Sequence, residues 1–117
     1  MPPVLRSFAF LALPLSVLAA EEVRYNRDIR PILSENCFSC HGPDEKSRKA
    51  KLRLDLPADA LKEHKTGIPI VPGDLKKSEV WARITSGDED DVMPPPKSHL
   101  KLSADDKAKV KAWLEQG

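Results

Sequence analysis

The chain has 117 residues, enough for one small domain. Its 19 Lys and Arg nearly balance 18 Asp and Glu, so charge gives no reason to expect nucleic acid as a partner. Aromatic residues make up only 5%, and a chain this small buries a modest share of its surface, so something must supplement the core.

Residues 1–20, MPPVLRSFAFLALPLSVLAA, have a short basic lead with Arg6, an apolar run from Phe8, and small residues at Ala19 and Ala20. That is the layout of a secretory signal peptide. The run is short for a membrane span, and the competing reading is an uncleaved N-terminal anchor. No cysteine follows the cleavage region, so a lipid anchor is not expected. Cleavage after Ala19 or Ala20 leaves a domain over 21–117 with no net formal charge and no second apolar segment of spanning length. The expected location is periplasmic or an equivalent extracytoplasmic compartment, with no membrane span after cleavage.

Three segments carry a helical pattern, and none shows strand-like alternation. The first runs from about Asn26 to His41, where Tyr25, Ile29, Ile32 and Leu33 make one apolar stripe. Pro31 is tolerable there only near a first turn, or it bends the segment; Gly42-Pro43 stops it. A short helical element is possible at about Ala58 to His64. The second main helix spans about Lys77 to Ser86, with Ser78 as a cap and Val80, Trp81 and Ile84 inward. The third spans Ser103 to Gln116, started by a capping box of Ser103 and Asp106, with Val110, Trp113 and Leu114 inward. Trp113 is expected against the Ile29–Leu33 stripe. Loops rich in Pro and Gly, TGIPIVPGD and DVMPPPKSH, lie between. The fold expected is all-α: three main helices and long loops.

Both cysteines of the chain sit in NCFSCHGPD, residues 36–44. On a helix Cys37, Cys40 and His41 are i, i+3 and i+4, and their side chains face one way. C-x-x-C-H is a c-type haem attachment motif: two thiols form thioethers with the haem vinyl groups, and the imidazole ligates iron. An extracytoplasmic address agrees with this. A redox dithiol would follow a strand, which is lacking here. A structural zinc site needs four ligands, and beyond the motif only His64 and His99 remain, without zinc-finger spacing. A plain disulfide would leave His41 unexplained.

The far side of the iron has one leading candidate. Met93 is the only methionine beyond the leader, 52 residues after His41, and Pro94–Pro96 follow it. Extended geometry before proline and a stiff run after it suit a loop that presents a thioether. Filling the core is the competing role. His64 and His99 are rival distal ligands, each expected instead as a surface histidine. Arg53 and Trp81 are candidate contacts to haem propionates; surface and core roles compete. The basic run Lys46–Arg53 and the acidic run Gly87–Asp91 are expected as solvated loops, with steering of a redox partner as the alternative.

The runs YNRDIRPILSENCFSCHGPDEKSRKAKLRLD, VPGDLKKSEVWARI, MPPP and LSADDKAKVKAWLEQG, in this order, resemble the planctomycete-type cytochrome c domain. The resemblance implies an all-α, class I-like cytochrome c fold around one covalently bound haem c. It implies Cys37 and Cys40 as attachment points and His41 and Met93 as axial ligands. The family's domain is usually the N-terminal piece of a longer extracytoplasmic protein, with a truncated product or a stand-alone cytochrome as the alternatives. The expected function is one-electron transfer with a redox partner protein, without enzyme activity of its own. An open-site haem catalyst or gas sensor, and a haem-free thiol or zinc module, are the alternatives.

Overall fold

The computed structural model describes residues 1–5, 7–12 and 22–117. Arg6 and the expected cleavage positions at Ala19 and Ala20 lie outside the described residues. No helix among those described is long and apolar enough to cross a membrane.

The first helical segment departs from its expected course at both ends. Tyr25–Ile29 form one π-helical turn, closed by the Arg30 amide donating to the Tyr25 carbonyl. This turn runs into α1, Arg30–Asn36, with Pro31 in its first turn. There the missing proline N–H costs no intrahelical bond, and the wider turn upstream makes room for the ring. Asp28 ties the start of the turn, accepting from the Arg24 amide at 2.8 Å and from the Arg27 guanidinium.

The helix ends at Asn36 and not at His41. Asn36 Nδ2 donates to the Ile32 carbonyl at 2.8 Å, a side-chain bond that competes with the helical ladder. The Cys37 and Phe38 amides then share the Leu33 carbonyl, and Cys37 leaves the helical region at φ −124°.

The next two elements are shorter than their patterns. α2, Pro57–Ala60, is one turn. α3, Glu79–Ile84, lies inside the expected span. Ser78 stands at its N-cap position but does not cap it. Its buried hydroxyl instead donates to the Asp74 carbonyl at 2.8 Å and accepts from the Val71 amide at 2.9 Å. The loop over 71–74 carries polar backbone into the interior, and Ser78 satisfies it. A 3-10 turn, Pro96–Ser98, precedes α4, Ala104–Gln116, which begins with the expected capping box of Ser103 and Asp106.

Among the described residues there is no strand, only isolated bridges pairing His64 with Gly67 and Ile68 with Ser78. The core joins Ile29, Ile32 and Leu33 to Val110 and Leu114 of α4, with Leu54, Ala60, Ile70, Ile84 and Leu102 contributed from between. Trp113 meets the first segment at Tyr25, ring centroids 5.5 Å apart, and stays half-buried. Gln116 locks the same two segments by exchanging hydrogen bonds with the Val23 backbone at 3.0 and 2.6 Å. The first segment and α4 therefore bracket a long stretch of mostly loop, and the candidate site residues sit within that stretch.

Candidate haem-binding turn

Cys37, Cys40 and His41 occupy a single turn just past α1. The Cys37 carbonyl accepts from both the Cys40 amide, at 3.2 Å, and the His41 amide, at 2.8 Å. The motif thus keeps one helical turn of its own, although α1 stops before it. Gly42 closes that turn. A Cβ at this position would collide with the Phe38 carbonyl oxygen, so no other residue fits without moving backbone.

Cys37 and Cys40 are both half-buried residues. Burial, reinforced by the Cys40 sulfur nearby, pushes the Cys37 thiol up to about 11. It is therefore protonated at neutral pH, a latent nucleophile and not a standing thiolate. Burial also holds the His41 imidazole below its usual range, opposed by a hydrogen bond to the Lys49 backbone. Its Nδ1 lies 3.2 Å from the Lys49 carbonyl oxygen. A carbonyl only accepts, so Nδ1 carries the proton and Nε2 presents a lone pair. A neutral imidazole with its far nitrogen tied to a carbonyl is the form that binds a metal. Two thiols and such an imidazole on one turn are a donor set that fits haem c.

The loop over residues 46–54 holds this turn from outside. The Lys49 amide donates to the Cys40 carbonyl at 2.7 Å, and the Leu54 amide to the His41 carbonyl at 2.8 Å. Arg48 donates to the Gly42 and Pro43 carbonyls at 3.0 and 3.2 Å. Sequence reasoning saw here a basic run and, in Arg53, a candidate propionate contact. The working groups are mostly backbone amides and carbonyls, which every residue owns, so composition carried no signal for them.

The other candidates, Arg53 of that loop apart, lie elsewhere on the chain. Met93 is half-buried, its amide donating at 3.1 Å to the carbonyl of Arg83 in the last turn of α3, and the Met93–Pro94 peptide is cis. Trp81 is half-buried on α3 and packs on the core. Arg53 is committed to Asp55, with bonds of 2.7 and 3.2 Å, while its amide donates to Asp59 at 2.7 Å. His64 is half-buried, Nε2 lying 2.8 Å from the Asp59 carbonyl oxygen, so it is not the surface histidine expected. His99 is exposed after the 3-10 turn, with φ +59°. Among the described residues no group of three or more His, Cys, Asp or Glu is arranged to hold a bare metal ion.

A cavity of about 250 Å³ with an almost wholly apolar lining opens between the first segment and α4, walled by Tyr25, Leu33, Leu54, Ile70, Trp113 and Leu114 among others. Leu33 and Leu54 are also among the residues whose backbones bond to the Cys37–His41 turn. A second, polar cleft of about 440 Å³ runs along α3 past Lys76, Lys77, Glu79 and Arg83. None of Cys37, Cys40, His41 or Met93 lines either space.

A family model described as planctomycete cytochrome C matches residues 37–97, which span the turn, the basic loop, α2, α3 and Met93. No curated protein and no solved structure matches the chain.

Proposed function

The chain belongs to the planctomycete cytochrome c family, and from that premise we propose that it is a monohaem electron carrier working outside the cytoplasm. One observation carries the reading. Two cysteines and an imidazole whose Nδ1 is tied to the Lys49 carbonyl stand on one five-residue turn, so that Nε2 is the nitrogen with the lone pair.

Cys37 and Cys40 are the proposed thioether attachment points, and His41 Nε2 the proximal iron ligand. Met93 is the proposed distal ligand, a soft, neutral donor that favours the ferrous state. Haem c bound there supplies a one-electron ferrous/ferric couple. The chain's own residues hold the imidazole in one tautomer through the Lys49 carbonyl, fix the turn through Gly42, and present the thioether from a proline-stiffened loop. With His41 and Met93 both holding the iron, no place would be left for peroxide or a gas, which favours a carrier over a catalyst. The leader composition supports export, and c-type attachment takes place outside the cytoplasm. The proposed partner is a redox protein.

The test is a pyridine haemochrome spectrum with intact mass, on the full chain produced with a c-type maturation system. The expected result is one haem added through two thioethers. Folded protein without covalent haem would overturn the proposal.

A further inference from the structure

Two consecutive residues of the basic loop adopt left-handed backbone: Ala50 at φ +52° and Lys51 at φ +55°. Neither is glycine, and for residues with a Cβ this region is costly. Such a conformation persists only where surrounding bonds over-determine it. The bonds are present on both sides. Before the turn, Lys49 gives its amide to the Cys40 carbonyl and its carbonyl to His41 Nδ1. After it, Leu54 gives its amide to the His41 carbonyl. The reversal at Ala50–Lys51 is what allows both arms of the loop to reach the same histidine, one at its ring and one at its backbone. Arg48 adds a third hold, on the Gly42 and Pro43 carbonyls directly after His41.

We propose that the Ala50–Lys51 left-handed turn, with Arg48, is a positioning device for His41: it sets the imidazole's tautomer and orientation and so tunes the electron donation of Nε2. This rests on the assignment of His41 as iron ligand. An Nδ1–H bond to a carbonyl raises the donor strength of the other nitrogen. Stronger donation favours ferric iron, so loosening the bond raises the potential. The three lysines of the loop then have a further consequence. Lys46, Lys49 and Lys51 are exposed, so the loop that fixes the histidine also sets a positive patch beside it.

The experiment compares haem-loaded wild type with Ala50→Val, Ala50→Gly and Arg48→Ala in the full chain. Valine is β-branched and resists the left-handed region; glycine accepts it freely. NMR exchange of the His41 Nδ1 proton and the midpoint potential are the readouts. For Ala50→Val the expected result is at least roughly tenfold faster exchange, the loss of one well-placed hydrogen bond's worth of protection, and a raised potential. For Ala50→Gly both are expected at wild-type values, and for Arg48→Ala a smaller change of the same sign. If Ala50→Val does not fold, Lys51→Val and Arg48→Ala carry the comparison. The proposal is overturned if the valine variants lose stability while His41 exchange and the potential stay put, because the turn is then only structural. It is equally overturned if Ala50→Gly shifts both readouts as far as valine does. Failure of the functional reading looks different: wild type itself then lacks haem, whatever stands at position 50.

Discussion

At the scale of single residues, the turn after α1 depends on groups that have no substitute. Gly42 packs its Cα against the Phe38 carbonyl. Gly42→Ala is therefore expected to destabilise the protein by on the order of 1–3 kcal/mol, the usual cost of forcing atoms into a filled site. Thermal unfolding of the haem-loaded variant measures this, and an unchanged midpoint would mean that the Phe38 peptide simply moves aside. Met93 is tested by ligand binding. In wild type the oxidised protein should show the weak far-red band of sulfur-ligated ferric haem, and the reduced protein should bind carbon monoxide poorly. Met93→Ala should abolish the band, lower the potential and admit carbon monoxide. Rapid binding by wild type, unaltered in the variant, would remove Met93 from the iron and turn attention to catalysis or sensing. His64 is the less promising replacement, since its ring is already engaged with Asp59.

At the scale of elements, short helices are held by side chains placed at their ends. The π-helical turn at Tyr25–Ile29 starts with no side-chain cap at Arg24. Asp28 reaches back from within the turn and bonds the Arg24 amide. The Arg27 guanidinium beside it, with that amide, lowers the Asp28 carboxyl to about 2. A carboxyl whose folded value lies below its unfolded one stabilises the fold above the unfolded value. That contribution is lost as pH falls from about 4 towards 2. Unfolding midpoints taken at about pH 5, above that window, and at about pH 2.5, well inside it, should therefore differ less in Asp28→Asn than in wild type. An equal acid drop in both would show that Asp28 contributes nothing to the pH dependence. Ser78 behaves in a related way. A serine ahead of Glu79 reads as a helix cap, yet its hydroxyl serves the loop over 71–74, bonding the Val71 amide and the Asp74 carbonyl where that backbone turns inward.

At the scale of the whole molecule, ten buried apolar residues make the core among the described residues. Leu54, Ile70 and Leu102 among them come from loops and not from helical turns. Loops and helix ends are tied together by backbone hydrogen bonds, such as Ile70 to Ala60 and Gly73 to Leu114, at 3.0 and 2.8 Å. A core this small leaves little net stability once chain entropy is counted, so covalent haem is expected to be needed for cooperative folding. Circular dichroism of Cys37→Ser/Cys40→Ser, made without haem, should show no cooperative thermal transition, and a sharp one would refute haem dependence. The sequence by itself determined the helical class, the capping box of α4, the apolar faces at Ile29–Leu33 and Val110–Leu114, and the Cys37–Cys40–His41 constellation. These are readable because spacing and local chemistry operate within a few residues. Only the tertiary structure decided where α1 stops, that Trp113 settles on Tyr25, that Ser78 serves a loop, and that Arg48 and the left-handed Ala50–Lys51 turn close around His41. Except for the Tyr25–Trp113 ring contact, those outcomes depend on which backbone carbonyls and amides meet across the fold, and backbone groups are the same in every residue, so no pattern of side chains along the chain announces them.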